Sequence, residues 1–255
     1  MPATATMLVL FTDYGWHDPY VGQLKAVFHT VAPGVPVIDL LHAAPDFNAH
    51  AGAHLLDALS LQFPVGAVFF CVVDPGVGGP REAVVVEADG RWFVGPDNGL
   101  MSLVAARGED TRLWRIHWRP ENLSDTFHGR DLFAPIAAGI AAGSFPEDKL
   151  TPIDKLQVEF DRADLPRVIY IDHYGNAWTG IRGGLADPSV TLSVKGHDLA
   201  WRRVFAEAGK GEAFWYVNSE GLIEIAANRV SAADVLGLKV GDLVRLTGSA
   251  EGRVH

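Results

Sequence analysis

Hydrophobic and polar positions follow two different rhythms along this chain. Residues 7–11 form a short apolar run that ends in Thr12-Asp13-Tyr14-Gly15, the pattern of a buried strand followed by a polar loop. After Asp18-Pro19, apolar residues recur at helical spacing (Val21, Leu24, Val27, Phe28, Val31) and stop at Pro33-Gly34. Residues 35–40 predict a second strand, 49–62 a second helix and 67–73 (AVFFCVV) a third strand. Two more strands are expected at 83–87 and 92–95, and an Ala-rich helix at 132–142. Strands alternating with helices predict an α/β sandwich-type domain around a mostly parallel sheet. From about Pro166 the rhythm changes. Short β-like runs at 168–171, 190–194, 214–217, 222–226 and 243–246 are separated by Gly- and Asp-rich turns, with no long amphipathic helix. This half predicts a small all-β barrel domain. The punctuation by Asp, Arg and Pro at 155–166 sets expected domains of 1–160 and 166–255.

Composition narrows the classes. Of 255 residues, 48% are hydrophobic and 20% charged, enough apolar material for a real core, so disorder is excluded as the main description. Lys plus Arg is 21 against 31 for Asp plus Glu, a formal charge of −10, which argues against a nucleic-acid footprint. The single cysteine, Cys71, excludes an intrachain disulfide and lies in an apolar run, as a buried thiol would. No apolar stretch reaches the ~18 residues that a membrane-spanning helix needs. The first residues lack the basic region of a secretory signal, so a cytoplasmic protein is expected.

In open α/β sheets ligands bind beyond the carboxyl ends of strands, so the loops after residues 11, 73 and 94 are the candidate site. In the first, Asp13 and Asp18 could hold ribose hydroxyls, an ammonium or a metal, although Asp18 also fits a helix cap with Pro19 at the first helical position. In the second, VVDPGVGGPR, the glycines permit sharp turns and close approach, and Asp74 can meet Arg81 as a charge-assisted pair. It is neither a P-loop nor a GxGxxG fingerprint. In the third, Pro96-Asp97-Asn98-Gly99 is explained almost fully as a turn. Before the Ala-rich helix, TFHGRD holds His128, Arg130 and Asp131; the aspartate suits the helix N-terminus, and a histidine titrates near neutrality. His50 and His54 share one helix face at metal-ligand spacing, but no HExxH is present. In the β half, IDHYGNAWTGI (Asp172, Tyr174, Asn176) and VNSEG (Asn218, Ser219, Glu220) read first as turns, and an Asn amide can also read a heterocycle edge.

Taken together and in order, FTDYG, DPYVGQLKAV, VVDPGVGGPR, FVGPDNGL, FHGRDLFAPIAA, IDHYGNAWTGI, NSEGLIEIA and LKVGDLVRL strongly resemble the S-adenosyl-L-methionine hydroxide adenosyltransferase family, relatives of the enzymes that fluorinate and chlorinate the same substrate. The resemblance spans nearly the whole chain. It implies an N-terminal α/β domain with a C-terminal β-barrel, and a homotrimer with active sites between subunits. The implied reaction is displacement by hydroxide at the 5′ carbon, giving adenosine and L-methionine, with S-adenosyl-L-methionine as substrate and no cofactor or metal. By motif, the set that handles the water is Asp74, Arg81 and His128. The halogenating relatives carry Tyr at the Asp position and Ser where this chain has Gly129, so the chain resembles the water-using branch and no useful fluorination is expected. Hydroxide must nevertheless compete with small anions such as chloride.

The resemblance further implies Asp13 on the ribose diol and Asp18 and Asp172 on the methionine ammonium. It implies Asn176 as adenine reader with Tyr174 nearby, Phe205 stacked on adenine, and Phe47 and Phe127 lining the site. Ser219 is the implied contact of the methionine carboxylate. The relatives follow that Ser with Arg, where this chain has Glu220, leaving backbone N–H groups to supply the contact. Two readings from other classes compete. A metal-dependent nucleoside hydrolase would explain Asp13, but its adjacent aspartate cluster is missing. A non-catalytic sensor of the same molecule would keep Asp13 and Asn176 yet need no Asp74, Arg81 and His128 set.

Overall fold

The computed structural model describes residues 7–185 and 187–248. The chain divides into two compact units, Met1–Arg162 and Ala163–His255. The first is a seven-stranded sheet with the strand order β2-β1-β3-β5-β4-β6-β7. The strands are β1 (Met7–Thr12), β2 (Val37–Leu41), β3 (Ala67–Val72), β4 (Ala83–Ala88), β5 (Arg91–Pro96), β6 (Thr111–Ile116) and β7 (Leu150–Ile153). The four strands β2, β1, β3 and β5 run parallel, and β4, β6 and β7 extend the sheet antiparallel. Helices α1 (Tyr20–Val31) and α4 (Ala134–Ala141) pack together, as do α2 (Ala49–Ser60) and α3 (Ser102–Arg107).

Leu8 and Leu10 of β1 share a core with Leu24 and Phe28 of α1 and Ile136 and Ala137 of α4. Phe11, one residue on, faces the other way, toward Gly52 of α2. With both faces covered, β3 is buried along its whole length, which is why AVFFCVV reads as a continuous apolar run and why the Cys71 thiol is inaccessible. Strand order reverses between β1 and β3, whose last residues Thr12 and Val72 are paired. Their carboxyl ends therefore open onto the crevice where α/β sheets bind ligands.

The second unit is built from two antiparallel sheets. One has the order β12-β13-β9-β8 and the other β11-β10-β14. The strands are β8 (Leu165–Ile171), β9 (Ala177–Arg182), β10 (Thr191–Val194), β11 (His197–Leu199), β12 (Ala213–Val217), β13 (Leu222–Ala227) and β14 (Val244–Thr247). Val168, Leu192, Trp215, Ile223, Ile225 and Val244 come from both sheets into one core. Isolated bridges join Arg167 to Leu243 and Trp201 to Trp215, at the two seams between the sheets. One short helix, α5 (Ala232–Leu236), starts with the Ser231 hydroxyl accepting from Asp234 N–H and ends at left-handed Gly237.

Two local expectations change, and a third is filled in. The predicted helix at 132–142 begins earlier, as a π-helical turn over Gly129–Phe133 that runs into α4. Asp18 does not cap α1, whose N-cap is Pro19 with no side-chain bond. Asp97 is a structural group: it is 3% exposed and its carboxylate accepts from Gln157 N at 2.8 Å. Truncating Asp97 to Ala removes this charge-assisted bond, at a cost of about 1–3 kcal/mol. Urea titration of the Asp97→Ala variant should show this loss with catalytic activity per folded molecule retained; unchanged stability would contradict the assignment.

Candidate active site

Each unit holds one cavity that collects motif residues. In the first unit a cavity of about 400 Å³ is lined by Asp13, Tyr14, Asp18, Phe47, Asp74, Phe127, His128 and Gly129, among others. Asp13 directly follows β1 and Asp74 closely follows β3. The loop carrying Asp13 is fixed from beneath by His42, whose carbonyl accepts from Gly15 N–H at 2.7 Å and whose Nδ1 meets Thr12 Oγ1 at 2.8 Å. Burial pushes the Asp13 carboxyl up; the Phe47 N–H, 3.4 Å from Oδ2, opposes this, and Asp46 and Asp74 add to it. Phe47 is 77% exposed at a left-handed φ of 57°, a conformation that costs a side-chain-bearing residue energy and is held by the ordered turn around it.

Arg81 grips Asp74 with two nitrogens. Nε donates to Oδ1 and Oδ2 at 3.0 Å each, and Nη2 makes a close contact with Oδ2. Nη2 also lies 3.1 Å from His128 Nδ1. A guanidinium has only donors, so Nδ1 accepts and the neutral imidazole carries its proton on Nε2. The guanidinium stands over the Phe133 ring, 5.2 Å from its centre. Gly78 makes this assembly possible: its φ is +76°, and a β-carbon there would overlap the Asp125 carbonyl, so only glycine lets the Asp74–Arg81 loop lie against the segment leading to His128. Asp131 accepts from Ser124 N–H at 3.0 Å and pairs with Arg130, which pins the same segment.

In the second unit, a cavity of about 940 Å³ is lined by Asp172, Tyr174, Asn176, Phe205, Ser219 and Glu220, with Tyr216, Glu224 and Arg229. Asp172 shapes the β8–β9 hairpin: Oδ1 accepts from Tyr174 N and Asn176 N at 2.9 and 2.8 Å, and Oδ2 accepts from Asn176 Nδ2 at 3.2 Å. That bond turns one face of the Asn176 amide to protein and leaves its carbonyl oxygen as an acceptor. Phe205 packs edge-on to Phe214 and Tyr216 at 5.2 and 5.5 Å. Two of the backbone N–H groups that could hold a carboxylate here are engaged within the turn. Glu220 N donates to Asn218 Oδ1 at 3.1 Å and Gly221 N to Asn218 O at 3.1 Å, so both are spent. Ser219 Oγ donates to Glu220 Oε2 at 2.8 Å. Motif reading missed Arg229, the cation on this wall, because it lies outside the matched strings. It also missed Glu224, which sits in a run read as a strand. Burial pushes the Glu224 carboxyl up, against hydrogen bonds from Tyr216 and Asn218.

Residues 8–150 match the family model of the SAM hydroxide adenosyltransferase N-terminal domain, and residues 166–245 that of its C-terminal domain. The chain belongs to the SAM hydroxide adenosyltransferase family. The chain is 38% identical to a protein of Thermus thermophilus named (R)-S-adenosyl-L-methionine hydrolase, over 92% of this chain and 97% of that one. A protein of Actinopolyspora mzabensis named fluorinase is 29% identical over 95% and 97% of the two chains. The crystal structure of an uncharacterized conserved protein from Thermotoga maritima superposes with a TM-score of 0.86 at 34% identity, covering 94% of this chain and 99% of that one.

For this family member, His50 and His54 are packing groups. Their rings lie 5.5 Å apart and His50 rests on Phe160 at 4.3 Å. Among the described residues, no three His, Cys, Asp or Glu side chains gather as a metal site would. No described helix is long and apolar enough to cross a membrane.

Burial, and then the Arg81 charge, hold the His128 imidazole below its ordinary 6.5, with Asp74 opposing. A histidine whose folded pKa is depressed contributes stability that is intact above the unfolded value and lost as pH falls through the folded one. Histidine titration followed by NMR should therefore show His128 protonating below pH 6.5. In Arg81→Ala, with the cation gone and Asp74 left, the midpoint should rise. A midpoint above 6.5 in the unmodified protein would contradict this electrostatic account.

Proposed function

We propose that this chain hydrolyses S-adenosyl-L-methionine: water attacks the 5′ carbon and adenosine and L-methionine leave. The reading is carried by one arrangement, the Asp74 carboxylate clamped by Arg81 with His128 on the same guanidinium. The substrate's sulfur is already a sulfonium, so methionine departs as a neutral thioether with the electron pair of the C5′–S bond. No Lewis acid or cofactor is required for that departure. What remains is to hold a water in line behind C5′ and take a proton from it. Positioning of this kind supplies ~7–11 kcal/mol when the geometry is right.

In this reading Asp74 is the proton acceptor. Its oxygens keep lone pairs beyond those taken by Arg81, whereas His128 Nδ1 is occupied and its Nε2 carries a proton. His128 then cannot abstract the proton and instead holds the guanidinium in place, and Arg81 stays a cation throughout. Asp13 holds the ribose diol, and Asp18 and Asp172 take the ammonium. Asn176 reads adenine, with Phe205 and Tyr174 against the base and Phe47 and Phe127 walling the sugar. Arg229 faces the carboxylate, and Ser219 reaches it once its hydroxyl turns from Glu220. The reading includes the homotrimer implied by the resemblance, with active sites at subunit interfaces, and closure of the C-terminal unit as a barrel.

A non-catalytic sensor would need no water-handling set, and that difference is the test. A positioned general base is worth ~10²–10⁴-fold. Chromatography of products should show turnover reduced by about that factor in Asp74→Ala, Arg81→Ala and His128→Ala. Calorimetry should show substrate binding largely spared. Wild-type turnover in all three variants would refute the assignment.

A further inference from the structure

Tyr14 was given no role by the motifs, yet it lines the same cavity as Asp74, His128 and Gly129. Its ring is wedged against Tyr20 and Phe127, with centres 5.7 and 5.9 Å away. It cannot swing aside without moving both rings. Burial, reinforced by the Asp13 and Asp74 charges, pushes the phenol far above its ordinary 10, so the group remains an O–H donor.

Gly129 packs directly against this hydroxyl. A β-carbon at position 129 would overlap Tyr14 Oη and come within 3.3 Å of Tyr14 Cζ and 3.4 Å of Phe127 Cε2. Gly129 does not have a positive φ, so its backbone conformation does not demand glycine. The phenol oxygen does. Positions 14 and 129 are therefore sterically coupled, and the coupling lies immediately beside His128.

We propose that Tyr14 is a specificity-determining residue for the nucleophile, its hydroxyl closing the cavity over Gly129 so that water is used in preference to chloride. This rests on the hydrolase reading above. An attacking water has one lone pair aimed at C5′ and needs an acceptor for its departing proton; its second lone pair can accept from Tyr14. As the C–O bond forms, the C5′–S pair leaves on methionine sulfur and one water proton passes to Asp74. With chloride, a chloride lone pair forms C5′–Cl, the same pair leaves on sulfur, and no proton moves. Chloride is larger and gains nothing from an acceptor, and Tyr14 Oη narrows the cavity it would enter.

The test measures adenosine and 5′-chloro-5′-deoxyadenosine by chromatography after incubation with S-adenosyl-L-methionine in excess sodium chloride. The unmodified protein, Tyr14→Phe, Gly129→Ala and the double variant are compared. Tyr14→Phe should raise the ratio of chlorinated product to adenosine by roughly tenfold, the factor a single hydrogen bond supplies. Gly129→Ala should lose turnover in the unmodified background and regain part of it when combined with Tyr14→Phe, since removal of Oη frees the space. Tyr14→Phe deletes one oxygen and is the variant least able to disturb folding, so its product ratio decides the matter if Gly129→Ala is unstable. An unchanged ratio in Tyr14→Phe, with the unmodified protein forming adenosine, overturns the inference and leaves the hydrolase reading standing. No adenosine from the unmodified protein overturns both.

Discussion

The site depends on one ion pair, the guanidinium of Arg81 laid across the carboxylate of Asp74. Their side chains are only 11% and 4% exposed, so neither charge is well served by solvent. Removing one partner of a buried pair costs about 3–5 kcal/mol, because the other charge is stranded. Much of the surrounding structure serves to hold this pair. The buried β3 strand delivers Asp74 to the sheet edge, left-handed Gly78 folds the loop back, and Phe133 supports the guanidinium from the π-helical turn. The same arginine then fixes the tautomer of His128. The loop from Asp74 to Arg81 and one helix start are thereby locked into a single constellation.

The charge pattern acquires a meaning from the substrate. The chain carries a formal charge of −10, which by itself only argued against nucleic acid. The two cavities that hold the motif residues concentrate that charge. Asp13, Asp18, Asp46 and Asp74 line one, and Asp172, Glu220 and Glu224 line the other. A sulfonium that also bears an ammonium is complementary to such walls, and a small anion is not. Acidic walls thus favour the substrate and disfavour halide at once, before any contact at the reacting carbon is considered.

Much of this was legible in the chain. The parallel half of the first sheet could be read because its strands are continuous apolar runs bounded by Pro and Gly. Strands β6 and β7 could not: Arg112 and Arg115 interrupt the apolar pattern of TRLWRI, and Pro152 in LTPI is tolerated because β7 is an edge strand. The Asp74–Arg81 contact could be read from loop length and charge, but not its bond to His128, which lies 47 residues further along the chain. Asp97 could be read as a turn residue, but not its bond to Gln157 N–H, which lies 60 residues further along the chain. Tyr14 escaped notice for the same reason: its significance lies in a glycine distant in sequence, and only coordinates bring the two together.

The decisive chemistry is which bond to which carbon is broken and what replaces it. Incubation with S-adenosyl-L-methionine in ¹⁸O-water, with chelator and without added halide, followed by mass spectrometry of the products, tests this directly. The account predicts methionine together with adenosine that carries the label at its 5′ oxygen. Release of free adenine with label in a ribosyl product, or substrate bound but unchanged, would contradict it.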